Sequence, residues 1–311
     1  MTRLRLGTRK SQLALAQSQH MADALEACHP GLRVDLVPIV TRGDREPGDL
    51  SKIGGKGLFT QELEEGLLEE RLDLAVHSLK DLPVHLPDGL TVAAFPTRED
   101  PRDTLVSAVG TTLDDLPDGS VLLTGSGRRR SQILARRPEL RVEPLRGNVD
   151  TRLRKWREQG AAGVILAHAG LRRLGWVDGD SPAEGAEPIP AHPIDPRVMI
   201  PAPGQGTLAI QVKAGTDAEA LVAALDHGPS RRAADAERRI VAALGGDCTL
   251  PLAAWATGDD SLELIACLAT PDGDAVARGE GRGPSADAAA EQCLQALRDD
   301  GAEEILRALR P

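Results

Sequence analysis

With 311 residues, the chain is long enough for about two or three domains of ordinary size. Hydrophobic residues make up 41% and charged residues 27%, which is typical of a globular protein with real cores. The formal net charge of −10 argues against general binding to nucleic acid or anionic membranes, so any anion site must be a local basic cluster.

The amino-terminal sequence MTRLRLGTRKSQLALAQ has no long apolar run before a small-residue cleavage site, which predicts no signal peptide. The sequence contains no stretch of about 18 apolar residues, so we expect no membrane-spanning helix. The cysteines are widely spaced and form no CxxC pair, and the histidines have no metal-binding spacing. We therefore expect a cytoplasmic protein with no disulfide framework and no metal site.

Through residue 215, short apolar runs alternate with segments of helical period. The runs that predict strands are LRLG, RVDLVPIV, LDLAVHSL, SVLLT, LRVEPL and GVILA. The helices are predicted from Ser11 to Ala27, over LFTQELEEGLLEERL, from Ser126 to Arg137 and from Val149 to Gln159. This alternation predicts α/β lobes with parallel or mixed sheets.

Two segments, 96–103 and the Pro- and Gly-rich 179–203, predict crossings between domains. We expect a discontinuous first α/β lobe (1–97 with 197–215), a second α/β lobe (102–190) and a small α+β third domain (217–311). Strand 207–213 would close the first lobe, and the two lobes would leave a ligand cleft between them. The third domain would hold helices Asp217 to Asp226 and Ser230 to Leu244, an antiparallel meander over LPLAAWATG, SLELIACLAT and AVARGEG, and two final helices.

Polar and basic residues cluster where predicted strands pass into helices: Arg9, Ser11, Ser126, Arg128, Arg129, Arg146, Asn148, Arg152 and Arg173. In open α/β sheets such junctions line the ligand crevice, and helix N-termini there attract anions. Arginine adds bidentate recognition of carboxylate or phosphate. The repeated placement predicts a polyanion site. The alternative for any single arginine is a solvated side chain or an ion pair with the chain's many acids.

Three further segments contain residues that could take part in catalysis or binding. In VHSLKDLP, Lys80 and Asp81 follow an apolar strand, where a carboxylate can stabilise a cation or move protons. Alternatively, Asp81 is a capping or solvated residue. His77 lies within the strand and is interpreted as structural. Lys56 in GGKGLF lies either in a mobile loop or at a plain helix start. Cys248 in LGGDCTLP is either an accessible reactive thiol or a structural one, whereas Cys28, Cys267 and Cys293 are interpreted as small apolar side chains.

The motifs, in their order, resemble those of the hydroxymethylbilane synthase (porphobilinogen deaminase) family. They are TRKSQLALAQ, TRGD, GGKGLF, VHSLKD, REDPRD, the Arg128-Arg129 pair, LRGN with TRL, AGLRRLG, PAPGQG and LGGDCTLP. The combination of VHSLKD, LRGNVDTRL and a downstream cysteine loop is specific for this family. The resemblance implies two lobes like those of periplasmic binding proteins with mixed sheets, plus a small α+β C-terminal domain.

The resemblance also implies an activity. A dipyrromethane cofactor would be attached covalently to Cys248, and four porphobilinogen units would add head to tail with loss of ammonia before hydrolysis to hydroxymethylbilane. Such a transferase serves haem and porphyrin biosynthesis, and we expect it to be a cytoplasmic monomer with neither nucleic-acid nor membrane partners. Asp81 would be the catalytic residue.

The implied binding residues form two overlapping sets. Those for the cofactor would be Cys248, Ser78, Lys80, Asp81, Ser126, Arg128, Arg129, Arg146, Asn148 and Arg152. Those for the substrate would be Arg9, Ser11, Gln17, Lys56, Arg146, Arg152 and Arg173.

The chain departs from the family pattern in three places. Asp247 stands between the glycines and the cysteine of the attachment loop, TGSGRRR replaces the usual GTSSLRR, and His168 occupies a position that is usually small and apolar. A non-catalytic binding protein on the same two-lobed scaffold is the competing interpretation, and Cys248 counts against it. Only the arginine runs favour a nucleic-acid-binding protein, which the net acidity disfavours.

Overall fold

The computed structural model describes residues 2–45, 60–177, 189–245 and 250–309. The first elements in the chain are β1 (Thr2–Arg9), α1 (Gln12–Cys28), β2 (Leu32–Ile39), α2 (Arg42–Arg45), α3 (Gln61–Leu68), β3 (Leu74–Ser78), a 3₁₀ turn (Leu79–Asp81), β4 (Leu90–Ala94), β5 (Asp103–Val106), β6 (Val121–Leu123) and α4 (Gly127–Arg136). There follow β7 (Arg141–Glu143), α5 (Val149–Gln159), β8 (Gly163–Ala167), α6 (His168–Arg173), β9 (Ala191–Pro193) and β10 (Leu208–Lys213). The remaining elements are α7 (Asp217–Val222), a second 3₁₀ turn (Ala223–Leu225), α8 (Gly228–Ala243), β11 (Leu252–Thr257), β12 (Leu262–Ala269), β13 (Val276–Gly283), α9 (Ala286–Asp299) and α10 (Ala302–Leu309).

The chain divides into two compact units. The first is Met1–Glu99 with Thr207–Arg231, and the second is Asp100–Gly206 with Arg232–Pro311. The division into three domains stays a prediction, and two of its boundaries differ from those of the units. Residues 197–206 belong to the second unit, where the Ile200 carbonyl accepts hydrogen bonds from Arg128 and Gln132. Residues 217–231 belong to the first, where Val222 joins its core.

The first unit is built on a five-stranded mixed sheet in the order β2-β1-β3-β10-β4. β1 is parallel to β2 and β3, whereas β10 is antiparallel to β3 and β4, so the strand predicted over 207–213 does join this sheet. Met21 and Leu25 of α1 pack against one face, and Leu63 and Leu67 of α3 cover Ala75 on the other. Burial of both faces explains why the central strands β3 and β10 are buried along almost their whole length.

The second unit contains a sheet of the same size in the order β7-β6-β8-β5-β9. β6 is parallel to β7 and β8, and β5 is antiparallel to β8 and β9. Ile133 and Leu122 lie in the core on one face, and Trp156 and Leu153 of α5 lie in the core on the other. As a result, the carboxyl ends of β6, β7, β8 and β9 and the amino end of β5 share one edge.

The last part of the second unit is an antiparallel sheet, β11-β12-β13, as the sequence predicted. Its core contains Ile240 of α8, Leu264 of β12 and Leu297 of α9. A Cβ at Gly281 would lie 2.1 Å from the Ala289 carbonyl oxygen, so glycine is needed for α9 to lie this close to β13. The fold class is therefore confirmed: two α/β lobes with mixed sheets, and a small α+β C-terminal part.

Some elements differ from the prediction. The helix over LFTQELEEGLLEERL ends at Leu68, and Glu70 has a positive φ of 58°, which a continuing helix does not allow. The helix predicted from Asp217 to Asp226 is α-helical only to Val222 and continues as a 3₁₀ turn. The short strands β4, β5 and β9 were not predicted, because their three to five residues carry little periodic signal.

Candidate active site

The carboxyl ends of β1 and β3 carry the first group of predicted site residues. These strands are parallel neighbours, so Arg9 at the end of β1 and Ser78 at the end of β3 lie at the same edge of the sheet. The 3₁₀ turn after β3 adds Lys80 and Asp81, which are both exposed. The structure thus brings these four residues to one edge of the first unit, with the Asp81 carboxylate accessible.

Helix α1 places two more predicted residues beside this edge. The Ser11 hydroxyl accepts a hydrogen bond from the Ala14 backbone N–H at 3.3 Å, which caps the helix. The buried Gln17 donates from Nε2 to the Ser78 hydroxyl at 3.4 Å. Gln17 therefore connects α1 to the end of β3, and Ser11 has a structural role whatever ligand it contacts.

A buried ion cluster in the second unit contains Arg128 and Arg129. Asp103, which is fully buried, begins β5 opposite Ala167 at the end of β8. Arg128 donates to both of its carboxylate oxygens, at 2.7 and 3.1 Å, and Arg129 donates from Nε at 3.0 Å. Both guanidinium groups are therefore held at the edge of the second sheet.

Further hydrogen bonds fix the orientation of this cluster. Arg128 donates to the Ile200 carbonyl at 2.6 Å, and Arg129 donates to the Ile165 carbonyl at 2.8 Å. Gln205 donates from Nε2 to the Asp103 carboxylate at 2.9 Å. Hydrogen bonds on several sides restrict the rotamers of the two arginines, which makes the cluster preorganised.

The electrostatics of the cluster favour a further anion. Burial alone would raise the pKa of Asp103, but Arg128 and Arg129 outweigh it and hold that pKa far below its usual range. The pKa of Arg129 is lowered to about 10, because burial, together with repulsion from Arg128 and Arg152, outweighs the attraction of Asp103. Because two guanidinium cations face one carboxylate, the cluster keeps excess positive charge.

The other predicted residues of the second unit follow the ends of β6, β7 and β8. Ser126 caps α4 by accepting from the Arg129 backbone N–H at 3.4 Å. Arg152 donates from Nε to the Gly147 carbonyl at 2.7 Å, and Arg173 donates to the Gly206 carbonyl at 2.6 Å. The exposed Arg146 and Asn148 precede α5 in the same connection, with Asn148 at the N-cap position.

The sequence interpretation missed Asp103 and Gln205 as site-building residues, because it used REDPRD and PAPGQG only as motifs. A signal was present. An acidic residue directly before the apolar TLV can begin a strand, and an antiparallel strand begins at the edge where its parallel neighbours end. Arg128 and Arg129 at that edge require a counterion, which Asp103 supplies.

His168, which departs from the family pattern, is almost fully buried at the start of α6. Its Nδ1 lies 2.9 Å from the Thr104 hydroxyl, and its Nε2 lies 3.9 Å from an Asp100 carboxylate oxygen. Burial raises the pKa of Asp100, but hydrogen bonds from Arg102 outweigh this and lower it. The ring therefore joins the end of β8 to the start of β5, next to Asp103.

Three residues of the sequence interpretation, Lys56, Asp247 and Cys248, lie outside the described residues. Within the described part of the chain, no three His, Cys, Asp or Glu side chains come together as a metal site. No helix among the described residues is both long and apolar enough to cross a membrane.

Asp103→Asn is expected to lower the free energy of unfolding by about 3–5 kcal/mol at neutral pH, because the change leaves two buried arginines without their counterion. Urea denaturation would measure the loss. Asp114→Asn is the matched control, since Asp114 pairs with Arg136 at the surface, where such pairs contribute about 0–1 kcal/mol.

The same pair of variants gives a pH test. Because folding lowers the pKa of Asp103 from an ordinary value near 3.8, its stabilisation is complete above that pH and is lost as the pH falls below it. The difference between the wild type and Asp103→Asn should therefore shrink in acid. Equal stability of the two proteins at pH 7 would contradict the assigned role.

Comparison with known proteins gives a consistent result along the chain. Residues 4–221 match the family model described as "Porphobilinogen deaminase, dipyromethane cofactor binding domain", and residues 232–300 match "Porphobilinogen deaminase, C-terminal domain". A porphobilinogen deaminase of Chromobacterium violaceum is 44% identical over 99% of this chain and 98% of its own length. One of Bordetella parapertussis is 46% identical over 99% of this chain and 97% of its own.

Proposed function

Because this chain belongs to the porphobilinogen deaminase (hydroxymethylbilane synthase) family, we propose that it joins four porphobilinogen molecules head to tail, releases ammonia and hydrolyses the product to hydroxymethylbilane. Its family makes it an enzyme of the transferase class. The proposed reaction needs a site for a strongly anionic chain, since each pyrrole carries an acetate and a propionate. The excess positive charge of the Arg128, Arg129 and Asp103 cluster is the observation that supports this most directly.

We further propose that the cofactor is a dipyrromethane held by a thioether to Cys248. The matching family model supports the cofactor itself, and the loop LGGDCTLP supports the attachment point. When bound, the cofactor supplies the primer to which pyrrole units are joined. Ser78, Lys80, Ser126, Asn148 and the arginines at the strand ends would hold its acidic arms, as their donor groups fit carboxylates.

Asp81 is proposed to act on the reacting pyrrole. Loss of ammonia from porphobilinogen leaves a cationic electrophile, which a carboxylate can stabilise while accepting hydrogen bonds from pyrrole N–H groups. The same group can take the proton that leaves the attacked ring carbon. Its exposure at the end of β3, next to Arg9 and Ser78, leaves it free to contact a substrate.

We propose Arg9, Ser11, Gln17, Lys56, Arg146, Arg152 and Arg173 as substrate contacts. Their guanidinium, hydroxyl and amide groups would neutralise or hydrogen-bond the acetate and propionate arms. We also propose a cytoplasmic monomer without nucleic-acid or membrane partners. The net charge of −10 and the widely spaced cysteines support this part of the proposal.

Ammonia release is the experiment that tests the function. Purified protein incubated with porphobilinogen should release ammonia and form hydroxymethylbilane. A non-catalytic binding protein on this scaffold would bind porphobilinogen without releasing ammonia, and that result would exclude the enzyme. A nucleic-acid-binding protein would do neither.

The arginines are expected to differ in the step that they affect. Arg9→Gln and Arg173→Gln should load cofactor normally but slow chain growth by about tenfold to a hundredfold, because each removes a charge-assisted contact with the growing chain. Removing Arg128 or Arg129 should instead impair cofactor loading. Separating the enzyme-bound intermediates by charge, together with intact masses, would distinguish the two classes.

Arg154→Gln is the matched control for these variants. Arg154 is exposed on α5 and pairs with Glu158 at 2.7 Å, one turn further along the helix. Its loss should leave both loading and elongation unchanged. Normal loading and elongation in all four arginine variants would show that these arginines do not bind the polyanion.

A further inference from the structure

The motif PAPGQG, over residues 201–206, forms a turn in the second unit. The Gln205 N–H donates to the Ala202 carbonyl at 2.9 Å, and Gly204 and Gly206 have positive φ angles of 77° and 86°, which glycine adopts without strain. The last three residues of the turn are buried. Each of these three makes a hydrogen bond to a different part of the unit, so their partners show what the turn positions.

Two of the bonds reach the candidate site. The buried Gln205 donates from Nε2 to the Pro101 carbonyl at 2.8 Å and to the Asp103 carboxylate at 2.9 Å. The Gly206 carbonyl accepts from the Arg173 guanidinium at 2.6 Å. A shift of the turn would therefore move the anchors of Asp103 and Arg173 together.

On its other side, the turn lies against the open edge of β11. This strand is the first in the order β11-β12-β13, so one row of its backbone groups faces away from the sheet. The Ala254 N–H on that edge donates to the Pro201 carbonyl at 3.1 Å. The Ala256 N–H, two residues along on the same edge, donates to Glu237 Oε1 at 2.8 Å. The turn and the Glu237 side chain thus cover this edge together.

Glu237, on α8, connects the edge of β11 to the turn. Its side chain is fully buried, and Oε2 accepts from the Gly204 N–H at 2.5 Å while Oε1 accepts from Ala256. A buried charge is costly unless hydrogen bonds satisfy it, and hydrogen bonds to a carboxylate are stronger than neutral ones. Two backbone donors require two acceptor oxygens, which a carboxylate provides and a glutamine amide does not. The geometry therefore requires glutamate at this position.

We propose that Glu237 is a positioning residue, which holds the turn through the Gly204 N–H and thereby orients Arg173 for contact with the growing pyrrole chain. The proposal rests on the proposed function, in which Arg173 binds that chain. Gly206 is only two residues beyond Gly204, so a displacement of Gly204 moves the carbonyl that anchors the guanidinium. Loss of this anchor gives the long arginine side chain more rotamers, and its contact with a substrate carboxylate is made less often.

The place of Glu237 in the chain gives this role a second consequence. Cys248, the proposed attachment point, lies in the sequence between α8, which carries Glu237, and β11, which carries Ala256. One carboxylate therefore joins the two elements that flank the cysteine to the turn that anchors Arg173. Cofactor attachment and substrate binding share this framework within the second unit.

A double-mutant cycle on cofactor-loaded protein tests the positioning role. Glu237→Gln keeps the size of the side chain but leaves one backbone N–H without an acceptor, so ammonia release should slow about threefold to tenfold, the scale of one lost hydrogen bond. Added to Arg173→Gln, it should slow the reaction by less than about twofold more, because no guanidinium remains to be oriented. Effects that multiply in the double variant, or a wild-type rate in Glu237→Gln, would overturn the proposal.

Glu219→Gln is the matched control. Glu219 Oε2 accepts from the Gly215 N–H at 2.7 Å, and Gly215 has the same φ of 77° as Gly204, but this exposed turn belongs to the first unit. Its loss should leave ammonia release unchanged. A loss as large as that of Glu237→Gln would show that any such turn has this effect, which would overturn the specific role.

Crystallography of the full protein gives a result that does not depend on activity. In Glu237→Gln, we expect the turn to shift and the Gly206 carbonyl to lose its hydrogen bond with Arg173. An unchanged turn, with this bond still at 2.6 Å, would overturn the proposal. A wild-type protein that releases no ammonia would instead contradict the proposed function, so the two failures are distinguishable.

Gly204→Ala provides the same test if Glu237→Gln does not fold. Alanine disfavours the positive φ of 77° and so displaces the turn while Glu237 remains. Ammonia release should again slow about threefold to tenfold, without a further loss when the change is combined with Arg173→Gln. A wild-type rate, or effects that multiply with those of Arg173→Gln, would contradict the role of the turn.

Discussion

Cys248→Ser is expected to abolish both the covalent cofactor and the activity of a protein that still folds. The thiolate is the nucleophile in thioether formation, and a serine hydroxyl is far less acidic, so the variant has little nucleophile available. The wild-type protein, denatured after production in cells that make porphobilinogen, should carry a dipyrrole mass adduct. That adduct should map to the peptide containing LGGDCTLP and be missing from the variant.

The other cysteines provide the control. Burial raises the pKa of Cys267 to about 11 and that of Cys293 to about 12, so neither forms much thiolate at neutral pH. Cys28 is exposed, and Cys28→Ser should keep the adduct and the activity. Full activity without an adduct on Cys248 would exclude the proposed attachment.

Asp247 refines the same experiment. A carboxylate beside the thiol disfavours the thiolate and repels the acidic arms of the cofactor. Loading of the wild type should therefore be incomplete at neutral pH and improve in Asp247→Gly. An intact-mass ratio of loaded to unloaded protein measures this, and equal loading of the two proteins would show that Asp247 has no such effect.

Much of the fold could be predicted because its signals are local. Apolar runs ending in polar residues gave β1, β3, β6 and β8, and the helix starts at Ser11 and Ser126 follow from side-chain capping, which both serines perform. Parallel strands bring their carboxyl ends to one edge of a sheet. For this reason the strand-end residues lie at one edge of the sheet within each unit, while their role in binding stays a prediction.

The partners of those residues could not be predicted, because they depend on register between distant strands. The sequence predicts Arg128 and Arg129 as ligand contacts, and the structure shows both guanidinium groups buried against Asp103 as well. Asp103 lies beside them because β5 pairs with β8. His168 likewise meets Thr104 through this pairing. Since β5 has only four residues, its pairing with β8, on which both contacts depend, could not be predicted from periodicity.

Asp81→Asn is expected to keep the fold and cofactor loading but slow ammonia release by about 10²–10⁴, the range typical of a lost proton-transfer group. The side chains are nearly isosteric, while the negative charge facing the developing cation is removed. Asp81 is exposed and has no hydrogen bond within the described structure that asparagine would break, so stability should change little.

Rates would be measured with protein shown by intact mass to carry cofactor. Asp88→Asn, at another exposed aspartate of the same unit, should keep the wild-type rate. If Asp81→Asn also releases ammonia at the wild-type rate, Asp81 has no part in the chemistry and the charge on the cation must be stabilised by another group.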